Sequence, residues 1–292
     1  MGFMRKLALV AVLAVACGAA SVQAQTLALA YHKGDVQKYM YHSTAKETIN
    51  TGRTDIPVNI DMSAKETVTV KSVDAAGVAD VSVALTDVVI KSETSGTSNS
   101  STITVPPQEV KIAADGRILS INGTSSQGSP LGMGTSGNIV SAILPNTPVK
   151  SGDTWSKDYD QANPFGAGTI HVTTKSKYLR DESVKGVNTA VVETTSSADL
   201  DITLDLSKMA GAAGSPFPAG GAGGIQGIKM KGTTTADATT WIDPKGRHIL
   251  KTHLTSKTNA NMTFVFAPGS SLAGLLGPMT VTGDQTIDLL PA

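Results

Sequence analysis

The chain has very little cysteine and few aromatic residues. Its 292 residues include a single cysteine, Cys17, and aromatic side chains make up 4% of the composition. One cysteine cannot form an intramolecular disulfide, so stability has to come from a hydrophobic core and from backbone pairing. The scarcity of aromatic rings also argues against a surface that binds carbohydrate by stacking.

Charge of one sign is not in excess, and long apolar runs are rare. The chain has 24 basic and 24 acidic residues and no basic patch, which argues against a nucleic-acid partner.

The apolar run at residues 7–16 spans about ten residues, whereas a helix that crosses a bilayer needs roughly 20. The sequence therefore predicts no transmembrane span, and it leaves the oligomeric state open.

The N-terminus has the pattern of an export signal. Arg5 and Lys6 precede the apolar run, and small residues follow it up to Ala24. We predict a signal peptide over residues 1–24, with cleavage after Ala24 and a periplasmic or extracellular location. The alternative is an outer-membrane lipoprotein anchored at Cys17, since residues 14–17 loosely resemble a lipidation site. Removing residues 1–24 removes two basic residues and no acidic ones, which leaves a net charge of −2.

No catalytic, cofactor or metal motif stands out. The chain has no Gly-x-Ser-x-Gly segment, and the glycine-rich residues 220–224 lack the Lys-Ser/Thr of a phosphate-binding loop. None of the histidines falls in a zinc-binding spacing; they are His32, His42, His171, His248 and His253. We therefore expect a protein that is not an enzyme and that has no cofactor and no metal site.

Alternation of polar and apolar residues is the dominant pattern. From Val58 to Val70 the even positions are nearly all apolar and the odd positions are all polar. The same alternation recurs from Ala198 to Leu206. This period of two is typical of antiparallel strands with one buried and one solvated face. A Ser/Thr-rich run at residues 92–102 is interpreted as an exposed turn.

Parts of the sequence occur twice. Gly34-Asp35 is echoed by Gly152-Asp153, and Gly116-Arg117 by Gly246-Arg247, where we expect both glycines at positive φ in tight turns. We predict an all-β fold with two short helices, at residues 136–144 and 270–276. The fold is a tandem pseudo-repeat of antiparallel meanders, at residues 25–150 and 151–292, packed as one continuous domain. It forms a curved sheet or half-open barrel; the alternative is a pseudo-two-fold pair of smaller sheets.

An insertion at residues 209–227 has no counterpart in the first unit. It is rich in Gly and Ala, contains two prolines, and has no charge from residue 210 to 228. One interpretation is a flexible hairpin loop. The other is a mobile apolar lid over a ligand, whose bulky residues in and beside the insertion are Met209, Phe217, Ile225, Ile228 and Met230.

Two short segments resemble a family of exported bacterial proteins and lipoproteins of uncharacterised function. They are residues 149–155, which read Val-Lys-Ser-Gly-Asp-Thr-Trp, and the late hairpin from Trp241 to Arg247. Residues 178–192 share the likeness. The resemblance implies an envelope location and a β fold, and it implies no site residue. Both tryptophans, Trp155 and Trp241, are expected to be buried core side chains.

Two classes of function fit these observations. The first is a binding module, in which a curved sheet with one apolar side holds a lipid or another hydrophobic molecule. The second is a structural or interaction protein of the cell envelope, in which the apolar side is simply core. The sequence does not separate them, because a core and a pocket lining use the same residue types.

Overall fold

The computed structural model describes residues 24–122, 142–162, 169–205, 224–270 and 277–292. Within these ranges the fold is all β, and it contains no helix long and apolar enough to cross a membrane. Its strands are β1 Val36–Asn50, β2 Asp55–Val73, β3 Ala79–Thr94, β4 Thr97–Ile103, β5 Gln108–Ile112, β6 Ile118–Asn122, β7 Thr154–Ala162, β8 Thr169–Val184, β9 Val187–Asp205, β10 Ile225–Asp243, β11 His248–Phe266 and β12 Met279–Pro291.

The predicted helices fall almost wholly outside the described residues. Of the first, only residues 142–144 are described, and they have no regular secondary structure. Of the second, only Ser270 is described.

All strands belong to one antiparallel sheet. The order across it is β6-β5-β3-β2-β1-β12-β11-β10-β9-β8-β7, with β4 paired to β3 beyond the end of β5. The two meanders, β1 to β6 and β7 to β12, are joined because the first strand pairs with the last. The sheet curls into a half-barrel, which confirms the predicted half-open barrel and not a pair of separate sheets.

Short turns connect the long strands. Ser95-Gly96 and Lys185-Gly186 form two-residue turns in which both residues have positive φ, the conformation that matches the twist of a hairpin. The Ser/Thr-rich run at residues 92–102 is therefore not an exposed turn: it forms most of a hairpin between β3 and β4. Threonine favours strands because its branched side chain fits the pleated surface.

The two copies of the Gly-Asp motif have the same backbone conformation, whereas the two copies of the Gly-Arg motif do not. Gly34 and Gly152 both have φ of 95°. Gly34, just before β1, donates its N–H to Val70 O in β2, and Gly152, just before β7, donates its N–H to Tyr178 O in β8. Gly116 has φ of 94°, as expected.

The expectation for the second Gly-Arg motif is wrong. Gly246 lies outside the positive-φ region, and Arg247 occupies it with φ of 55°. A Cβ added at position 246 would lie 2.5 Å from Asp243 Oδ2 and 2.7 Å from the His248 ring, so these side chains would have to shift to admit it.

Two apolar clusters lie on the inner face of the half-barrel. The first apolar cluster combines residues of the sheet with residues from three segments outside the strands. From those segments come Leu27, Leu29, Val105, Ala142, Leu144 and Val149. The second apolar cluster draws all its described members from strands of the sheet: Ile170, Val172, Ala198, Leu200, Ile202, Ile225, Ile228, Met230, Ala260, Met262 and Val281.

The tryptophans occupy different environments. Trp241 is buried, its indole N–H donates to Glu182, and the Lys251 ammonium lies 4.2 Å from the ring centre. Trp155 is only partly buried; it packs against the first apolar cluster and donates its N–H to Ile143 O at 2.7 Å.

An ion pair links the two edges of the sheet. Lys157 of β7 lies 2.8 Å from Asp115, which precedes β6, and Arg117 contacts the same carboxylate at 2.9 Å. Burial acts to raise the pKa of Asp115, and the opposing effects of Lys157 and Arg117 hold it below its usual value. The side chains of Asp115 and Lys157 are each 16% exposed, so solvent screens this pair only partly.

We predict that Lys157→Met destabilises the protein, because Asp115 then loses a cation in a half-buried position. The expected loss in the free energy of unfolding is about 1–3 kcal/mol. Urea denaturation monitored by tryptophan fluorescence measures it. Lys175→Met, at an exposed position on the neighbouring β8, is the control. Equal stability of the two variants would contradict the role of the ion pair.

Candidate functional site

The inner face is divided into zones by the strand register. Between the two apolar clusters, the strand pairings place rows of small and polar residues side by side. We call these rows the polar belt; its members are Glu47, Gly283, Thr258 and Thr234 in one row, and Ala45, Gln285, Ser256, Ala236, Ser196, Thr174 and Lys157 in the next. The inner face is therefore amphipathic along the strands.

The second apolar cluster lies on one side of the polar belt. Partly buried side chains pack against it, including an aromatic pair, Phe264 and Phe266, with ring centres 6.2 Å apart. Three of the residues predicted to form a lid, Ile225, Ile228 and Met230, are buried members of this cluster on β10. The other two, Met209 and Phe217, lie outside the described residues, so the predicted lid stays a prediction.

Glu47 is the acidic member of the polar belt, and Lys157, at the far end of the next row, is paired with Asp115. The Glu47 side chain is partly buried and lies beside Gly283 of β12, where an added Cβ would be 2.9 Å from Glu47 Cγ. It forms no hydrogen bond or ion pair with the described residues, and burial is what acts on its carboxyl. Burial raises the pKa of Glu47 to about 7.

Glu66 is a second inward-facing carboxyl, at the opposite end of the inner face. It is 2% exposed, and its Oε1 has no hydrogen-bond partner. Burial raises the pKa of Glu66 to about 7. It faces a cavity of about 10 Å³, room for a single water molecule. The other lining residues are Leu29, Tyr31, Gln37, Tyr39, Val68, His248, Ile249 and Leu289.

The hydroxyl groups beside this cavity are hydrogen-bonded elsewhere or buried. Tyr39 Oη lies 2.6 Å from Ile249 O and 2.8 Å from Gln37 Oε1. Burial, and then the nearby Glu66, raise the pKa of Tyr39 above its ordinary value. Burial also raises the pKa of Tyr31. Both phenols are thus neutral at physiological pH and cannot supply charge to Glu66.

A separate groove of about 450 Å³ runs across β1 to β4. Its lining comes from three consecutive cross-strand rows. Its charged residues are Lys46, Asp61, Lys91 and Glu93, two of each sign. Because these charges balance, the groove favours neither an anionic nor a cationic ligand.

Neither carboxyl was predicted to be a site residue from the sequence. Glu66 interrupts the apolar even positions between Val58 and Val70, and this interruption was the available signal. Glu47 lies on the same face of β1 as Tyr39 and Tyr41, but Ser43 and Ala45 weaken the alternation there.

Four of the five histidines lie within ion-pair distance of an aspartate: His32, His42, His171 and His253. His253 lies 2.8 Å from Asp288, and His42 lies 3.3 Å from Asp61. No group of three or more metal-ligating side chains in the described ranges is arranged to hold an ion.

Comparison with known proteins gives similarity to solved structures only. No family model and no curated protein match the sequence. A structure on lipid–protein interactions in lipovitellin matches with a TM-score of 0.44 and 12% identity, over 90% of this chain and 26% of that chain. The chain thus spans about a quarter of that protein.

Two bacterial structures match with lower scores. A DUF1329 family protein from Desulfovibrio piger gives a TM-score of 0.17 and 10% identity, over 85% of this chain and 84% of that chain. A domain from Vibrio parahaemolyticus assigned to outer membrane lipoprotein sorting gives 0.16 and 10%, over 87% and 83%. At these scores and identities, none of the three likenesses transfers a ligand or an activity to this chain.

We predict that the free energy of unfolding decreases as pH rises from 4.5 to about 7, because folding raises the pKa of Glu66 across that interval. The folded state binds the proton more tightly than the unfolded state, so the contribution is favourable at low pH and is lost above pH 7. At 1.36 kcal/mol per pH unit, the loss is roughly 3 kcal/mol.

Glu66→Gln removes the ionisable group while it keeps the shape of the side chain, so this part of the pH dependence should disappear. Urea denaturation across the interval measures it, and Glu93→Gln at an exposed position on β3 is the control. The dependence that remains in Glu66→Gln reports the other raised carboxyl, Glu47. A Glu66→Gln profile identical to that of the wild type would show that Glu66 is already solvated.

Proposed function

We propose that the protein is an exported binder of a hydrophobic ligand of the lipid class, held on the inner face at the second apolar cluster. One observation carries this proposal. The first apolar cluster includes side chains from segments outside the strands, such as Leu27 and Leu29, whereas every described member of the second comes from the sheet itself. A concave apolar face bordered by polar groups is the usual form of a lipid site.

The role proposed is binding and not catalysis. Bulky, flexible side chains such as Met230 and Met262 adapt to ligands of irregular shape, and the Phe264 and Phe266 rings add apolar contact area. A purely structural envelope protein with a filled interior would show no uptake of an apolar probe, so that role is an outcome of the experiment below.

We also propose that the two units arose by duplication. Support comes from the Gly-Asp motifs, where Gly34 and Gly152 share φ of 95° and the carboxylates of Asp35 and Asp153 accept from backbone N–H groups three residues earlier. In the first half, two short strands, β4 and β5, both pair with β3. In the second half, the single long strand β10 takes the corresponding place beside β9.

We predict that removing apolar area at the second cluster weakens binding of an uncharged fluorescent probe, N-phenylnaphthylamine. The double variant Phe264→Ser/Phe266→Ser should bind it at least about tenfold more weakly, a change of roughly 1.4 kcal/mol. Fluorescence titration measures the affinity, and circular dichroism checks the fold.

Met40→Ser/Leu290→Ser is the matched control. These two apolar side chains face each other across β1 and β12 and are 44% and 41% exposed. They do not belong to either apolar cluster, so the control should bind like the wild type. Absence of binding by the wild type would contradict the proposal and favour the structural role.

We predict that the exported protein begins at Gln25. The backbone of Gln25 exchanges hydrogen bonds with Val149 at 2.8 and 2.9 Å, and its side chain donates to Tyr178. Cleavage after Ala24 would therefore leave a first residue that is held by the fold. N-terminal sequencing and intact mass measure it. An acylated start at Cys17 would instead make the protein a lipoprotein.

A further inference from the structure

The strand register places Glu47 at the boundary between the polar belt and the second apolar cluster. Glu47 is paired with Val58 on one side and with Gly283 on the other. One row nearer the cluster, Ile49 is paired with Val281, which is itself a buried cluster member. The carboxyl of Glu47 and the apolar surface are therefore separated by a single row of the sheet, or about 7 Å.

The apolar surface beyond Glu47 has the length of one lipid chain. Along β11, the inward positions run from Thr258 in the belt through Ala260 and Met262 to Phe264. The six residue steps from Thr258 to Phe264 span about 20 Å of extended strand. This is comparable to one leaflet of a bilayer, whose hydrocarbon core of two leaflets is about 30 Å thick.

The belt around Glu47 is polar but otherwise uncharged. Thr258 and Thr234 continue its row, and their hydroxyls lie 3.1 Å apart. In the next row, Ala45 and Gln285 are also neutral. Among the described inward positions of β1, β2, β12, β11 and β10 beside Glu47, no titratable side chain and no cation is present.

We propose that the ligand is a single-chain amphiphile with a cationic amine head, whose chain lies on the second apolar cluster and whose head pairs with Glu47. This inference rests on the function proposed above. An ammonium group supplies the charge that the Glu47 carboxylate lacks among the described residues, and it can also donate to Thr258 and Gln285. A carboxylate or phosphate head would instead meet a like charge at the same point.

The pairing has a pH signature. Burial raises the pKa of Glu47 to about 7, so in the free protein the carboxyl is largely protonated in mildly acidic solution. An alkylammonium head pairs only with the ionised form, and its binding has to displace that proton. The affinity for the amine should therefore rise with pH up to about 7 and then level off, with a slope of up to about tenfold per pH unit.

Competition with bound N-phenylnaphthylamine tests the proposal. Dodecylamine, dodecanol and dodecanoic acid share one chain length and differ only in the head group. At about pH 8 we expect the wild type to bind dodecylamine at least about tenfold more tightly than dodecanol. The preference should shrink at about pH 5.5, where Glu47 is protonated.

Two variants separate the role of Glu47 from that of Glu66, the other carboxyl whose pKa is raised by burial. Glu47→Gln should bind the uncharged probe and dodecanol like the wild type but should lose the amine preference and its pH dependence. Glu66→Gln should keep both, because Glu66 lies at the opposite end of the inner face.

The outcomes distinguish this inference from the function on which it rests. If the wild type binds the probe but does not prefer the amine, or if Glu47→Gln keeps the preference, the inference is overturned and the lipid-class proposal stands. A preference for dodecanoic acid would also overturn it. If the wild type does not bind the probe, the proposed function itself fails.

Discussion

The pairing of β1 with β12 is the constraint on which the rest of the structure depends. It runs without a break from Tyr39 opposite Pro291 to Asn50 opposite Thr280. It joins the beginning and the end of the chain and makes one sheet of two meanders. A slip of one residue would turn every side chain of one strand to the other face. Glu47 would then point to solvent, and the rows of the polar belt would no longer be continuous.

Two inward-facing carboxyls show how the inner face departs from a simple core. An apolar residue at position 66 or 47 would fit the alternation of its strand better, since burial of a carboxyl disfavours its charged form. Glu66 faces a small cavity, where its ionisation opposes folding. Glu47 is only partly buried and borders the second apolar cluster, where a ligand would share its surface. Local rules are often broken in this way at functional positions.

Much of the fold was predictable from local patterns. The alternation between Val58 and Val70 predicts β2. Asp74 and Gly77 are residues typical of the turn that follows it, where Asp74 accepts from two backbone N–H groups. The pairing of β3 with β4 was missed because a Ser/Thr-rich strand exposed along its length has no apolar face to mark it. The conformation of Gly246 was missed because the turn places its positive φ at Arg247, one residue later than in the first Gly-Arg motif.

The sequence by itself determined the fold class, most of the strands and the polar or apolar character of each strand face, because period-two alternation is a local property of the chain. Only the tertiary structure decided which strands are neighbours and therefore which residues share a row. Glu47, Gly283 and Thr258 are far apart in sequence, and three strands in register bring them together. The environment of Glu66 was likewise decided by packing, since the residues around its cavity come from β1, β2, β11, β12 and the N-terminal segment. A carboxyl's pKa and a site's polarity depend on such neighbours, and no local pattern encodes them.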